Sequence, residues 1–206
     1  MTLVKICGIT NLKDALAAIE FGADALGFNF YKKSPRYVPP ERVLKIINEI
    51  PPAIWKVGVF VNEPEQVVKD LAIDLELDYL QFHGTETPSY CEQFATPYWK
   101  AFRLKDKKTL DLMGKYKCAY YLVDAFVENA YGGTGVVGDW DLAREAKKIG
   151  KIVLAGGLTP ENVEAAIRTV QPDGVDVATG VEECAGKKDF AKLERFITNA
   201  KEASAT

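Results

Sequence analysis

The chain has little that would place it in a membrane or on a nucleic acid. No apolar run approaches the roughly 20 residues needed to cross a bilayer, and Met1 leads straight into an expected strand with no signal-peptide core. The 26 basic residues are outnumbered by 29 acidic ones, which gives a formal net charge of −3. Because no diffuse basic surface is available to polyanions, we expect neither nucleic acid nor membrane as a partner, and we expect a cytoplasmic location.

Cysteine and histidine are also scarce. The four cysteines lie far apart without a C-x-x-C pair, and His83 is the single histidine. Neither a disulfide framework nor a zinc site is indicated, so we expect reduced thiols and no structural metal. We assign Cys91, Cys118 and Cys184 to packing or to the surface.

Short apolar runs alternate with segments of helical period along the 206 residues. The runs rich in β-branched or aromatic residues predict strands at 4–7, 25–28, 55–61, 79–82, 98–102, 120–124, 152–155 and 174–178. The patterns between and after them predict helices at 12–21, 40–49, 65–75, 88–95, 107–116, 140–148, 160–170 and 189–200.

Eight such β-α units predict a closed sheet. The strand at 57–61 is apolar on both faces rather than alternating, as a parallel sheet buried on both sides requires. No linker or low-complexity stretch divides the chain. We therefore expect an α/β fold, a single-domain (β/α)8 TIM barrel over residues 1–206, with an open doubly wound sheet as the alternative.

Two strands near opposite ends of the chain share one design. The first ends in Cys7-Gly8 and the seventh in Gly156-Gly157, and each is followed by a threonine, a helix, an aspartate and another strand. The two ends of the chain therefore resemble copies of one unit. This internal repeat supports a closed barrel.

The paired glycines predict a phosphate site. Gly156 and Gly157 let backbone N–H groups approach a ligand, and the following helix directs its positive end there. In a barrel the loops after strands 7 and 8 commonly form such a site, and Thr179 and Gly180 after the eighth strand could add donors. The alternative is that the glycines make a tight turn and Thr159 caps a helix. Since one copy of the repeat carries the glycine pair, we expect a ligand with a single phosphate.

Two strand-end side chains are candidates for acid–base chemistry. Asp124 ends an apolar strand, where desolvation favours a protonated carboxyl and suits a general acid, although it could also cap the following loop. Cys7 could be an inert packed thiol; as a base it needs a nearby helix N-terminus or cation that favours the thiolate. An acid with a raised pKa and a base with a lowered pKa are suited to proton transfer.

An ordered set of motifs covers nearly the whole chain. The motifs are KICGIT at 5–10, GFNF at 27–30, SPRYV at 34–38, VGVFVN at 57–62, QFHG at 81–84, GGTG at 132–135, DW at 139–140, AGGL at 155–158 and DV at 176–177. In these motifs the chain closely resembles the phosphoribosylanthranilate isomerases of tryptophan biosynthesis.

The resemblance implies an Amadori rearrangement of a small phosphosugar, without cofactor or metal. N-(5-phosphoribosyl)anthranilate would become 1-(2-carboxyphenylamino)-1-deoxyribulose 5-phosphate. Cys7 would be the general base at C2 of the opened sugar, and Asp124 the general acid that protonates the furanose oxygen. Arg36 would bind the anthranilate carboxylate through its planar fork. We expect a monomer or a homodimer.

The resemblance also implies that backbone groups of Gly156, Gly157, Thr179 and Gly180 hold the phosphate. Gly133 lies in the glycine-rich segment 132–135, which would fold over the substrate as a lid. Two further strand-end residues, His83 and Asp176, face the same site. His83 could be a hydrogen-bonded structural residue, and Asp176 could orient a sugar hydroxyl or a neighbouring loop.

Three positions depart from the family's common pattern. Gly138 replaces a phenylalanine and should loosen the lid, Ala178 replaces a serine of the phosphate loop, and Ala185 replaces a proline. The loss of the serine hydroxyl leaves phosphate binding to backbone donors, and none of the three positions is the expected acid or base.

Two alternative functions stay open. One is the related isomerase of histidine synthesis, which has an aspartate where Cys7 stands and a phosphate site in each half of the barrel. The altered first copy of the repeat argues against it. The other is a phospho-ligand binder without catalysis, against which the joint presence of Cys7, Asp124 and Arg36 argues.

Overall fold

A closed barrel of eight parallel strands forms the centre of the computed structural model, which describes residues 2–124 and 140–204. The strands are β1 (Leu3–Cys7), β2 (Ala25–Asn29), β3 (Trp55–Phe60), β4 (Tyr79–Phe82), β5 (Tyr98–Arg103), β6 (Tyr120–Asp124), β7 (Ile152–Ala155) and β8 (Gly174–Val177). Each strand pairs with the next, and β8 pairs with β1. The TIM-barrel prediction is confirmed, and the alternative of an open sheet is wrong.

Helices alternate with these strands around the barrel. They are α1 (Leu12–Glu20), α2 (Pro40–Ile47), α3 (Glu65–Asp74), α4 (Pro88–Cys91), α5 (Lys107–Met113), α6 (Trp140–Ala146), α7 (Val163–Val170) and α8 (Phe190–Ala203). A 3₁₀ turn at Thr179–Val181 and a small hairpin of β9 (Glu182–Cys184) and β10 (Lys187–Lys188) separate β8 from α8. The hairpin is absent from the predicted pattern. No helix in the described ranges is both long and apolar enough to span a membrane.

The helix expected from residue 160 begins instead at Val163. A hydrogen-bonded turn precedes it, because Thr159 N donates to Asn162 Oδ1 at 2.8 Å and Asn162 Nδ2 donates to the carbonyl of Gly157 at 3.0 Å. Glu161 N donates to the Thr159 hydroxyl in the same turn. Thr159 therefore stabilises the turn that leads into α7 and is not the N-cap of the helix.

Strand geometry explains why the interior of the barrel differs from the rest of the core. Alternate residues of each strand point inward, and the inward set forms its own apolar cluster of Ala25, Val57, Trp99, Leu122, Val153 and Ala155. The outward set packs under the helices in a larger cluster. Three buried polar side chains share the inward positions, namely those of Lys5, Gln81 and Asp176.

A buried ion pair fixes the loop that follows β4. Lys100 Nζ lies 3.2 Å from Glu86 Oε2 and donates to the carbonyl of Gly84 at 2.8 Å. Glu86 Oε1 also accepts from the backbone N–H of Asn62 at 2.7 Å. The pair therefore ties the loops after β3 and β4 to β5 at the C-terminal end of the barrel.

We expect Lys100→Met to lower the free energy of unfolding by about 3–5 kcal/mol, because Glu86 would stay buried without its cation. The matched control is Lys69→Met on α3, which breaks a largely exposed pair with Glu65 and should cost less than about 1 kcal/mol. Urea denaturation followed by circular dichroism measures both. Equal losses in the two variants would contradict the role assigned to the buried pair.

Candidate active site

A cavity of about 520 Å³ opens at the C-terminal ends of the strands. Eight of the predicted site residues line it: Arg36, His83, Asp124, Gly156, Gly157, Asp176, Thr179 and Gly180. Cys7 lies beside this lining, on β1. Gly133 and the segment 132–135, with Gly138 and Asp139, fall outside the described residues. The fold therefore brings eight residues from five strand ends and their loops to one mouth.

The turns after β7 and β8 form one contiguous backbone surface. Gly156 and Gly157 have φ values of 86° and 64°, a left-handed conformation that glycine adopts without strain. A Cβ on Gly180 would lie 1.9 Å from the carbonyl oxygen of Leu158. Glycine at position 180 is thus required for the two turns to meet, and the surface that they form suits an anion that binds backbone N–H groups.

Arg36, in the loop after β2, is held by a carboxylate that sequence analysis missed. Its Nε lies 2.8 Å from Glu182 Oε1, its Nη2 lies 2.6 Å from Glu182 Oε2, and Nη2 also donates to the Thr179 hydroxyl at 3.1 Å. This is a bidentate pair between planar groups. The only signal in the sequence was an acidic residue shortly after Gly180.

Glu182 also contacts a second cation. Lys188 Nζ lies 3.1 Å from Glu182 Oε1 and donates to the backbone carbonyl of Cys7 at 2.6 Å. Burial opposes ionisation of Glu182, but Arg36 and Lys188 hold its pKa below the ordinary value. Burial also lowers the pKa of Lys188, an effect that Glu182 opposes. The hairpin that carries these residues therefore connects the Arg36 loop to the end of β1.

Cys7 is half-buried at the end of β1, among several charged groups. Burial raises the pKa of its thiol, while the positive charges of Lys5 and Lys188 act in the opposite direction. The cation required for a thiolate is therefore present, but burial outweighs it. The net shift favours the thiol form, which is the reverse of the shift that a resting thiolate would need.

Three further predicted residues approach the same mouth. Asp124 ends β6, half-buried, and lines the cavity. The Nδ1 atom of His83 lies 3.0 Å from Gln81 Nε2, and desolvation by the surrounding protein lowers the pKa of the imidazole. Asp176, on β8, places Oδ1 2.6 Å from Lys5 Nζ. His83 therefore has a hydrogen-bond partner and also lines the cavity.

The remaining cysteines lie elsewhere, as expected. Cys91 is buried, Cys118 is half-buried and Cys184 is exposed. Burial raises the pKa of both Cys91 and Cys118 to about 12, which disfavours the reactive thiolate form. Within residues 2–124 and 140–204, no group of three or more histidine, cysteine or acidic side chains is arranged to hold a metal ion.

Comparison with known proteins gives a consistent result across the whole chain. The family model for N-(5'-phosphoribosyl)anthranilate (PRA) isomerase matches residues 4–199. An N-(5'-phosphoribosyl)anthranilate isomerase of Geobacter sulfurreducens is 51% identical over 98% of this chain and 99% of its own length. That of Geotalea uraniireducens is 53% identical over the same shares of the two chains.

Solved structures of high similarity carry the same name. The phosphoribosylanthranilate isomerase of Thermotoga maritima is 42% identical, with a TM-score of 0.91 over 98% of this chain and 100% of its own. A phosphoribosylanthranilate isomerase in complex with reduced 1-(o-carboxyphenylamino)-1-deoxyribulose 5-phosphate is 41% identical, with a TM-score of 0.89 over the same shares. The chain therefore belongs to the phosphoribosylanthranilate isomerase family, the isomerases of tryptophan biosynthesis.

Proposed function

We propose that this enzyme converts N-(5-phosphoribosyl)anthranilate to 1-(2-carboxyphenylamino)-1-deoxyribulose 5-phosphate by general acid–base catalysis. The observation that carries the proposal is one cavity in which the backbone turns at Gly156, Gly157 and Gly180 adjoin Asp124 and Arg36. Cys7 ends β1, the strand that pairs with β8. The reduced product analogue bound by the similar solved enzyme supports a product of this class.

Two proton transfers account for the reaction. Asp124 donates a proton to the furanose oxygen, which opens the ring and leaves a positively charged imine at C1. Cys7, as the thiolate, removes the proton from C2, and the electrons of that C–H bond neutralise the imine to give an enolamine. Tautomerisation to the ketone completes an internal redistribution of hydrogen, so the reaction consumes no oxidant or reductant.

We assign the two ends of the substrate to opposite sides of the cavity. The backbone of Gly156, Gly157, Thr179 and Gly180 binds the phosphate. Arg36 binds the anthranilate carboxylate, and because Glu182 occupies its Nε and Nη2 edge, the substrate meets the guanidinium through Nη1. This replaces the expected bidentate contact of Arg36 with the substrate. The lid that contains Gly133 stays a prediction from the sequence.

Location and assembly are also proposed from family likeness. We place the enzyme in the cytoplasm, where its biosynthetic substrate would form. A monomer or a homodimer is expected, and the Thermotoga maritima enzyme described as dimeric, at 40% identity and a TM-score of 0.88, supports the second possibility.

Removal of either proton-transfer group should lower turnover by orders of magnitude. We expect Cys7→Ser and Asp124→Asn each to lower kcat by about 10²–10⁴-fold, the usual contribution of a general acid or base. The loss of substrate fluorescence on addition of purified enzyme measures the rate. Cys184→Ser, which changes an exposed cysteine, is the control and should keep full activity. If Cys7→Ser retained wild-type turnover, Cys7 could not be the base.

The contact between the two turns that bind the phosphate can be tested at Gly180. Gly180→Ala forces a Cβ against the Leu158 carbonyl, so the two turns must separate and their donors lose alignment. We expect KM to rise about 10- to 100-fold, the effect of losing charge-assisted hydrogen bonds. In the control Gly114→Ala, the new Cβ meets Asp111 O at an ordinary 3.6 Å, and KM should not change. Equal KM values in both variants would place the phosphate elsewhere.

Glu182 should affect substrate affinity through Arg36. We expect Glu182→Gln to weaken the bidentate contact, free the guanidinium to move, and raise KM about tenfold with a smaller change in kcat. The control is Glu183→Gln on the same hairpin, whose pair with Lys187 is exposed. Steady-state kinetics measure both variants. An unchanged KM in Glu182→Gln would mean that Arg36 does not depend on this carboxylate.

A further inference from the structure

A buried lysine on β1 has no part in the acid–base scheme above. Lys5 is fully buried, points into the barrel and pairs in register with Asp176 across the junction of β1 and β8. Its Nζ lies 2.6 Å from Asp176 Oδ1 and 5.8 Å from the centre of the Trp99 ring. Replacement of a buried ion pair by well-packed apolar residues is often neutral or stabilising. Stability alone therefore does not explain why a lysine occupies this position.

The side chain of Lys5 meets that of Cys7 over β2. Residues 5 and 7 lie on the same face of β1, because side chains alternate along a strand. A Cβ on Gly27, the register partner of Cys7, would lie 2.9 Å from Cys7 Sγ and also 2.9 Å from Lys5 Nζ. Both atoms thus occupy the space that glycine leaves open at position 27.

Lys5, Lys188, Arg36 and Asp176 interact electrostatically with the Cys7 thiol, and the three cations differ in how their charges are balanced. Lys188 and Arg36 share one carboxylate, that of Glu182. Lys5 is balanced by Asp176, and it interacts with Cys7 through its side chain as well as through its charge. Among the cations that favour the Cys7 thiolate, Lys5 has the largest effect. Lys188, by contrast, holds the backbone carbonyl of Cys7.

We propose that Lys5 is a positioning residue for the base: its ammonium is the counter-ion of the Cys7 thiolate, and Asp176 holds that ammonium in place. This inference rests on the proposed role of Cys7. While Cys7 carries its proton, the ammonium is balanced by Asp176. When the proton leaves, the ammonium is shared between the carboxylate and the sulfur, so the new negative charge forms beside a fixed positive one.

The test is the pH dependence of Cys7 alkylation in the intact, substrate-free enzyme. Iodoacetamide reacts with the thiolate, and mass spectrometry of the Cys7 peptide separates this thiol from the other three. We expect Lys5→Met to move the titration midpoint of Cys7 upward by about one pH unit or more and to slow alkylation at pH 8 about tenfold. Lys5→Arg, which keeps the charge, should recover at least part of the reactivity.

Two further variants distinguish the shift of the Cys7 midpoint from a general loss of folded structure. Lys56→Met removes a half-buried lysine that pairs with Asp78 and should leave the Cys7 midpoint unchanged. Lys5→Met combined with Asp176→Asn removes both buried charges, so it remains informative if the single variant fails to fold. The midpoint should still rise in this double variant, because Lys5 acts more strongly than Asp176 on the thiol.

Kinetics then connect the alkylation result to turnover. In Lys5→Met we expect kcat to fall in proportion to the thiolate fraction, with little change in KM. An unmoved midpoint in a folded Lys5 variant would overturn the inference. A moved midpoint together with an active Cys7→Ser enzyme would instead overturn the proposed role of Cys7, while the coupling of Lys5 to Cys7 would stand.

Discussion

The buried ion pair between Lys5 and Asp176 joins the first strand of the barrel to the last. Their Cα atoms are register partners across β1 and β8, and the two charged atoms lie 2.6 Å apart. Because a buried charge without a partner is strongly unfavourable, and because a shift of one residue would turn one side chain to the opposite face, the pair favours one register at the closing junction. The same pair places a cation beside Cys7 and a carboxylate at the cavity. Closure of the fold and the electrostatics of the site therefore depend on the same two residues.

Closure of the barrel also brings together the loops that form the rest of the site. Once β8 lies between β7 and β1, the turn at Gly180 packs against Leu158, and the hairpin after it reaches back to the Arg36 loop through Glu182. Lys188 then joins this hairpin to the backbone of Cys7. The cations at the mouth are paired with two carboxylates, because Arg36 and Lys188 share Glu182 and Lys5 pairs with Asp176. Such fixed pairs need little reorganisation when charge develops in the reaction, which is the condition for electrostatic catalysis.

Sequence patterns predicted the strands well because most of their residues are apolar and are buried in the barrel. Helix ends were less accurate, since side-chain hydrogen bonds of single residues decide them, as Asn162 does before α7. The glycines and strand-end aspartates of the site could be predicted because any parallel barrel gathers them at one mouth. The roles of three charged residues could not be predicted, since they arise from partners distant in sequence: Glu182, Lys188 and Lys5. Arg36 and Glu182 are separated by 146 residues.

The raised pKa of Cys7 agrees with the charge that the proposed substrate carries. A phosphate and a carboxylate must both enter the cavity, so a permanently ionised base at the end of β1 would repel them. Burial raises the pKa of the Cys7 thiol, which disfavours a permanent negative charge on its sulfur. With Lys5 beside the sulfur, that negative charge forms next to a cation already held by Asp176. A half-buried cysteine beside a paired lysine thus reconciles binding of a substrate that carries both a phosphate and a carboxylate with removal of a proton from it.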